Sequence, residues 1–144
     1  MMRMTTVANQ FLEKWHQAVK DRSYDKVEKL LAPDVQLISP VAFKPYNDRD
    51  YILKVLENVV SLIEDFHYTR STVLSDGGVL LLFEGKVDGK FIEGIDLIDL
   101  DNQGRIKTLK VMLRPLWVYF TFSLKMAEQL GISSLKLKLL RLLL

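Results

Sequence analysis

The sequence predicts an α+β domain in which three helices precede a curved antiparallel sheet and a fourth helix follows it. Three observations carry this reading. Apolar residues recur at helical spacing in most of the chain up to Glu64, and beyond it the period falls to two. The second half is punctuated by Ser75-Asp76-Gly77-Gly78, Asp88-Gly89 and Asp101-Asn102-Gln103-Gly104, which read as hairpin joints. Asp-Gly between two apolar runs is a strong hairpin signal, because its central positions need positive backbone angles. Helices and strands are largely segregated along the chain, as in α+β folds.

The first helix spans Thr5 to Lys20, where Val7, Ala8, Phe11, Leu12, Trp15, Ala18 and Val19 form one apolar face. A short second helix runs from Tyr24 to Leu31 and stops at Ala32-Pro33, since the residue before proline disfavours helical angles. Val35 to Ser39 reads as a strand, followed by a Pro40 to Asn47 loop. Asp48 is placed to cap a third helix, Asp50 to Ile63, with Tyr51, Ile52, Val55, Leu56, Val59 and Leu62 on one face. Four strands follow: Phe66 to Leu74, Val79 to Val87, Lys90 to Leu100 and Arg105 to Arg114. Pro115 ends the last, and Leu116 to Gln129 reads as a helix that stops at Gly131. That helix is apolar nearly all round, so it must lie in a groove, a subunit interface or a membrane surface.

A chain of 144 residues, 49% of them hydrophobic, is large enough to enclose one core and a cavity. Residues 5–115 form the expected domain, and residues 116–144 an apolar helix with a basic tail. The net charge of +2 gives no electrostatic case for nucleic acid. Without cysteine, and with only His16 and His67, no cofactor and no metal site is expected. The N-terminus lacks the apolar core of a secretory signal, and Leu116 to Leu124 is too short to span a bilayer, so a cytoplasmic protein is expected. The tail sets Lys136, Lys138 and Arg141 among seven leucines with no acid, a composition that admits peripheral membrane contact, disorder or packing on a partner chain.

Asp96 draws attention because alternation sets it among apolar side chains in Phe91-Ile92-Glu93-Gly94-Ile95-Asp96-Leu97-Ile98. Burying a carboxylate is costly, so such a group finds a partner or raises its pKa. If Asp88-Gly89 is a two-residue turn, Leu81 faces Asp96, Phe83 faces Gly94 and Gly85 faces Ile92. The four-residue turn pairs Leu100 with Arg105, which puts Asp96 opposite Leu109, Gly94 opposite Val111 and Ile92 opposite Leu113. The same counting puts Arg70 on the Asp96 face, unless a bulge redirects it, and His67 on the other. The second face mixes Glu84, Glu93, Lys110 and Arg114 with Leu80, Leu82, Ile95, Leu97 and Met112, which suits a homodimer interface or cover by the last helix.

The helix with Phe11 and Trp15, the run Leu31-Ala32-Pro33-Asp34-Val35-Gln36-Leu37, the third helix, and Ile95-Asp96 with Gly104-Arg105-Ile106 resemble the nuclear transport factor 2-like superfamily, which includes ketosteroid isomerases and SnoaL-like polyketide cyclases. The resemblance covers about residues 5 to 115 and implies a cone-shaped fold around an apolar pocket. Ser39-Pro40-Val41 is similar to the isomerases' Asp-Pro-Val segment, so the general base is replaced by Ser39. The resemblance puts Trp15 at the place of an oxyanion-hole tyrosine and Asp96 at that of a protonated aspartic acid. A hydroxyl such as Ser39 cannot remove a carbon-bound proton without a base beside it.

Asp96 is therefore a candidate acid or hydrogen-bond donor with Trp15 as a second donor, or else a structural acid bonded to Trp15, Tyr51 or water. Expected ligand contacts are Ser39, Phe43, Tyr51 and Val55 from the loop and third helix, with Phe43 at the rim. The sheet adds Leu81, Phe83, Leu109, Val111 and Leu113. The functional expectation is binding of a small hydrophobic molecule by a homodimer. The alternatives are an isomerase or cyclase with altered residues, or a protein-interaction or membrane-peripheral module.

Overall fold

The computed structural model describes residues 2–131, and the expectation of peripheral membrane contact, disorder or partner packing by the basic tail lies outside them. The elements are α1 (Met2–Lys20), α2 (Tyr24–Lys29), β1 (Leu31–Ile38), α3 (Arg49–Leu62), β2 (Glu64–Val73), β3 (Val79–Val87), β4 (Lys90–Leu100), β5 (Ile106–Arg114) and α4 (Leu116–Gln129). The five strands lie in the order β1-β5-β4-β3-β2. Four are antiparallel neighbours, while β1 joins the β5 edge in parallel. The sheet is thus mixed where a wholly antiparallel one is predicted.

The α2–β1 junction differs from the sequence expectation. Helix α2 ends at Lys29 and the strand begins at Leu31, so Pro33 lies inside β1 instead of breaking a helix ahead of it. The strand tolerates proline because β1 is an edge and its register slips between Leu31 and Gln36. Helix α3 begins as predicted: Asp48 accepts the Tyr51 amide at 3.2 Å. Arg49 ties α3 to α2 through the Glu28 carbonyl at 2.6 Å and the Glu28 carboxylate at 3.3 Å.

The β3–β4 register is the predicted one, with Leu81 opposite Asp96 and Val87 opposite Lys90. Its turn takes positive φ at Asp88 (52°) and Gly89 (75°), as a two-residue hairpin requires. The β4–β5 pairing differs by two residues. Leu100 faces Ile106, not Arg105, and an irregularity between Asp99 and Leu100 adds a second step, so Asp96 faces Val111 rather than Leu109. Two single steps cancel in facing, so the side chains keep their predicted faces.

Helix α1 lies on one part of the inner sheet face, where Ala8, Phe11 and Trp15 cluster with Leu81, Ile98 and Leu109. Helix α4 covers another part of that face, packing Val118, Phe122 and Met126 against Phe83, Val87, Ile92 and Ile63. It therefore occupies a groove on the Asp96 side, and its cover of the second face is not seen. Lys125 pairs with Asp88, fastening α4 to the β3–β4 turn. Two glycines make this packing fit. A side chain at Gly94 would collide with Phe83, Leu113 and the Met112 carbonyl, and one at Gly85 would collide with Ile63 and the Glu64 carbonyl. No described helix is long and apolar enough to cross a membrane.

Candidate functional site

A cavity of about 660 Å³ is lined by residues of both core clusters. Trp15 of α1, Tyr51 and Val55 of α3, Phe83 of β3, and Val111 and Leu113 of β5 all line it, as does Ser39 just after β1. Phe43 does not: it is fully exposed, because the loop beyond Val41 turns outward. Leu81 and Leu109 are also absent from the wall, sealed in the core formed with α1. Helix α4 completes the wall with Tyr119, Phe122 and Met126, residues that sequence reasoning left outside the site. Their all-round apolar helix was the available signal.

Asp96 lies in this wall, 8% exposed, and it is the buried charged residue among those described. Arg22 and Glu57 also border the cavity, but both are exposed to solvent. The Asp96 carboxyl forms no hydrogen bond to any described residue, so neither Trp15 nor Tyr51 is its partner. Burial pushes it up from the usual 3.8 to about 7, with no neighbouring cation or amide drawing it back.

The Trp15 indole is engaged elsewhere. Its Nε1 donates to the Tyr68 hydroxyl at 2.8 Å. Trp15 is 4% exposed and stacks on Phe11 with ring centroids 5.8 Å apart. Tyr68 is half-buried, with its hydroxyl end turned inward to Trp15. Burial raises the Tyr68 hydroxyl well above its ordinary value; the Asp96 carboxyl pushes the same way, and the Trp15 hydrogen bond opposes them. Sequence reasoning missed Tyr68. Its facing was countable on β2, but the count placed Arg70 inside, whereas an irregularity between Tyr68 and Arg70 pairs Tyr68 with Phe83 and Arg70 with Leu82. Tyr68 stays on the inner face and Arg70 turns to the outer one.

Ser39 holds the loop. Its Oγ accepts the amides of Val41 at 3.1 Å and Ala42 at 3.2 Å, which fixes the turn after β1. Tyr46 and Tyr51 meet at 5.3 Å between ring centroids along the same wall. His67 points outward as expected and lies 3.7 Å from Glu84. His16 is less ordinary than a surface residue: its ring lies 5.4 Å from Tyr68 and its Nε2 is buried without a hydrogen-bond partner. Arg114 pairs with Glu93 on the outer face. Among the described residues no group of three His, Cys, Asp or Glu stands close enough to hold a metal ion.

No family model and no curated protein sequence matches the chain. Solved structures do. A steroid delta-isomerase from Pseudomonas aeruginosa is 33% identical with a TM-score of 0.82, over 87% of this chain and 92% of that one. An uncharacterised bacterial protein with a cystatin-like fold from Silicibacter pomeroyi is 26% identical with a TM-score of 0.77, over 89% and 90% of the two chains. A putative SnoaL-like polyketide cyclase from Shewanella denitrificans shares the fold at 14% identity and a TM-score of 0.58, over 75% and 90%. With its helices packed on one face of a curved five-stranded sheet and this degree of identity to a steroid delta-isomerase, the chain belongs to the nuclear transport factor 2-like superfamily of ketosteroid isomerase-like and SnoaL-like proteins.

Proposed function

We propose that the protein binds a small, mostly apolar molecule in the cavity, with Asp96 as its polar anchor. The observation that carries this is an acid without a hydrogen-bond partner in the wall of a 660 Å³ apolar space. A purely structural acid would be saturated by its neighbours, because an unpaired buried polar group costs about 1–3 kcal/mol. A cavity of this size falls within the usual range for small-molecule sites, roughly 300–1,000 Å³. Near neutrality a large fraction of Asp96 is uncharged, which lowers the cost of covering it with an apolar ligand and lets it donate to a ligand oxygen. The anchor and the wall together fit a molecule with an apolar body and one acceptor oxygen.

The test is equilibrium binding of 2-acetylnaphthalene to the wild type, to Asp96→Leu and to the cavity-filling Val55→Phe. Saturable binding is expected in the wild type, weakened about tenfold or more by each substitution. No binding by the folded wild type, or equal binding by all three, contradicts it.

An isomerase or cyclase activity is a second reading, favoured by the 33% identity to the steroid delta-isomerase structure. Against proton abstraction at the matching position stands Ser39, whose oxygen is occupied by two backbone amides. Pairing with a second copy through the outer sheet face belongs to the same proposal, since Met112 there is about half exposed among the half-buried Leu80, Leu82 and Leu97.

A further inference from the structure

We propose that Tyr68 is a second ligand-facing donor of this cavity and that Trp15 acts through it as a positioning residue, so that a ligand oxygen is held between β2 and β4. The inference rests on the binding reading above and deepens it. An indole N–H only donates, so the Trp15 bond occupies a lone pair of the Tyr68 oxygen and leaves its proton to point elsewhere. No described residue accepts that proton. The Tyr68 oxygen is therefore fixed by one bond while its own O–H remains free to reach into the cavity that Tyr68 lines.

Four further features fit a donor rather than a core filler. Tyr68 sits opposite Phe83 on the inner face, held there by the irregularity that sends Arg70 outward. Phe83 pairs in turn with Gly94, two residues from Asp96, so Tyr68 and Asp96 face the same cavity from β2 and β4. An N–H donated to a hydroxyl also polarises it and strengthens the bond it donates in turn. The ring is braced by Phe66, edge-on at 5.2 Å, and by His16 at 5.4 Å, so the hydroxyl loses little freedom when a ligand arrives. The fitting ligand carries a carbonyl-type oxygen that can accept two hydrogen bonds, one from β2 and one from β4. Hydrocarbons of the same shape lack that acceptor.

The experiment is binding of 2-acetylnaphthalene to the full chain, with the infrared carbonyl stretch of the bound ketone as a second readout. The variants are Tyr68→Phe, Trp15→Phe and the double substitution. Tyr68→Phe leaves the Trp15 N–H unpaired and can cost stability, whereas the double variant removes both partners and avoids that penalty. The expected result is binding weaker by about tenfold in Tyr68→Phe and in the double variant, the scale of one hydrogen bond. The carbonyl stretch should move to higher wavenumber in both. Trp15→Phe alone should move both readouts the same way by less, and should add nothing once Tyr68 is phenylalanine. An unchanged affinity and stretch in the double variant overturns the inference while leaving the cavity reading standing. A Trp15→Phe effect that persists in the Tyr68→Phe background also overturns it, since Trp15 would then touch the ligand itself. Failure of the wild type to bind overturns both readings.

Discussion

Asp96 and Asp101 stand five residues apart at opposite ends of one design problem. Asp101, in the β4–β5 turn, accepts the amides of Gln103 and Arg105 at 2.9 Å each and the Arg105 guanidinium at 2.9 Å. Burial alone would push its carboxyl up, but those amides and the guanidinium hold it below the usual range. Asp96 has burial and none of the bonds, so it rises to about 7. The turn uses its acid to fix a register, and the cavity wall leaves its acid open. The difference shows that an aspartate's structural role is read from its bonds rather than from its burial.

The largest expected effect comes from removing the open acid. The folded-state pKa of Asp96 lies above its unfolded value, so the native state holds the proton more tightly. Its contribution is complete below about pH 4, falls as pH rises from about 4 to about 7, and is lost above that. The displacement from 3.8 to about 7 corresponds to roughly 4 kcal/mol. Asp96→Asn should therefore stabilise the protein at pH 8 by up to that amount in urea unfolding and flatten the stability profile between pH 4 and 7. A loss of stability at pH 8 would mean that Asp96 has structural bonds after all.

Gly94→Ala disturbs the Asp96 wall through packing alone. The glycine lies two residues from Asp96 on the same face, and a methyl there meets Phe83, Leu113 and the Met112 carbonyl. Overpacking of this kind costs about 2–3 kcal/mol. Because it deforms the wall beside Asp96, the substitution should also weaken ligand binding, which titration with 2-acetylnaphthalene reads directly.

Asp101→Ala should show the smallest effect and the opposite pH sign. Asp101 has a lowered pKa, so its contribution is present above the unfolded value and lost as pH falls through the folded one. The substitution is expected to cost about 1–2 kcal/mol at pH 7 and progressively less in acid, with ligand affinity unchanged.

Much of the fold was legible because its signals are local. Alternation and the Asp88-Gly89 turn set the β3–β4 register and placed Asp96 opposite Leu81. What local signals do not carry is where a strand slips. The turn that pairs Leu100 with Ile106 and the irregularity at Asp99 together moved Val111 opposite Asp96, and the irregularity between Tyr68 and Arg70 hid the tyrosine behind a more conspicuous arginine. The parallel pairing of β1 was invisible for a related reason: its partner, β5, is distant in sequence and no turn links them. Within the site, alternation assigned Leu81 and Leu109 to the correct face but could not say that α1 would seal them. Facing is a property of one strand, whereas access depends on what is packed above it.

The most direct measurement is the carboxyl carbon titration of Asp96 by NMR, assigned by its loss in Asp96→Asn, in the free protein and with 2-acetylnaphthalene bound. The expected midpoint is about 7 in the free protein, moving higher when the ketone covers the acid and accepts its hydrogen bond. A midpoint near 4 in the free protein, unmoved by the ketone, would contradict it.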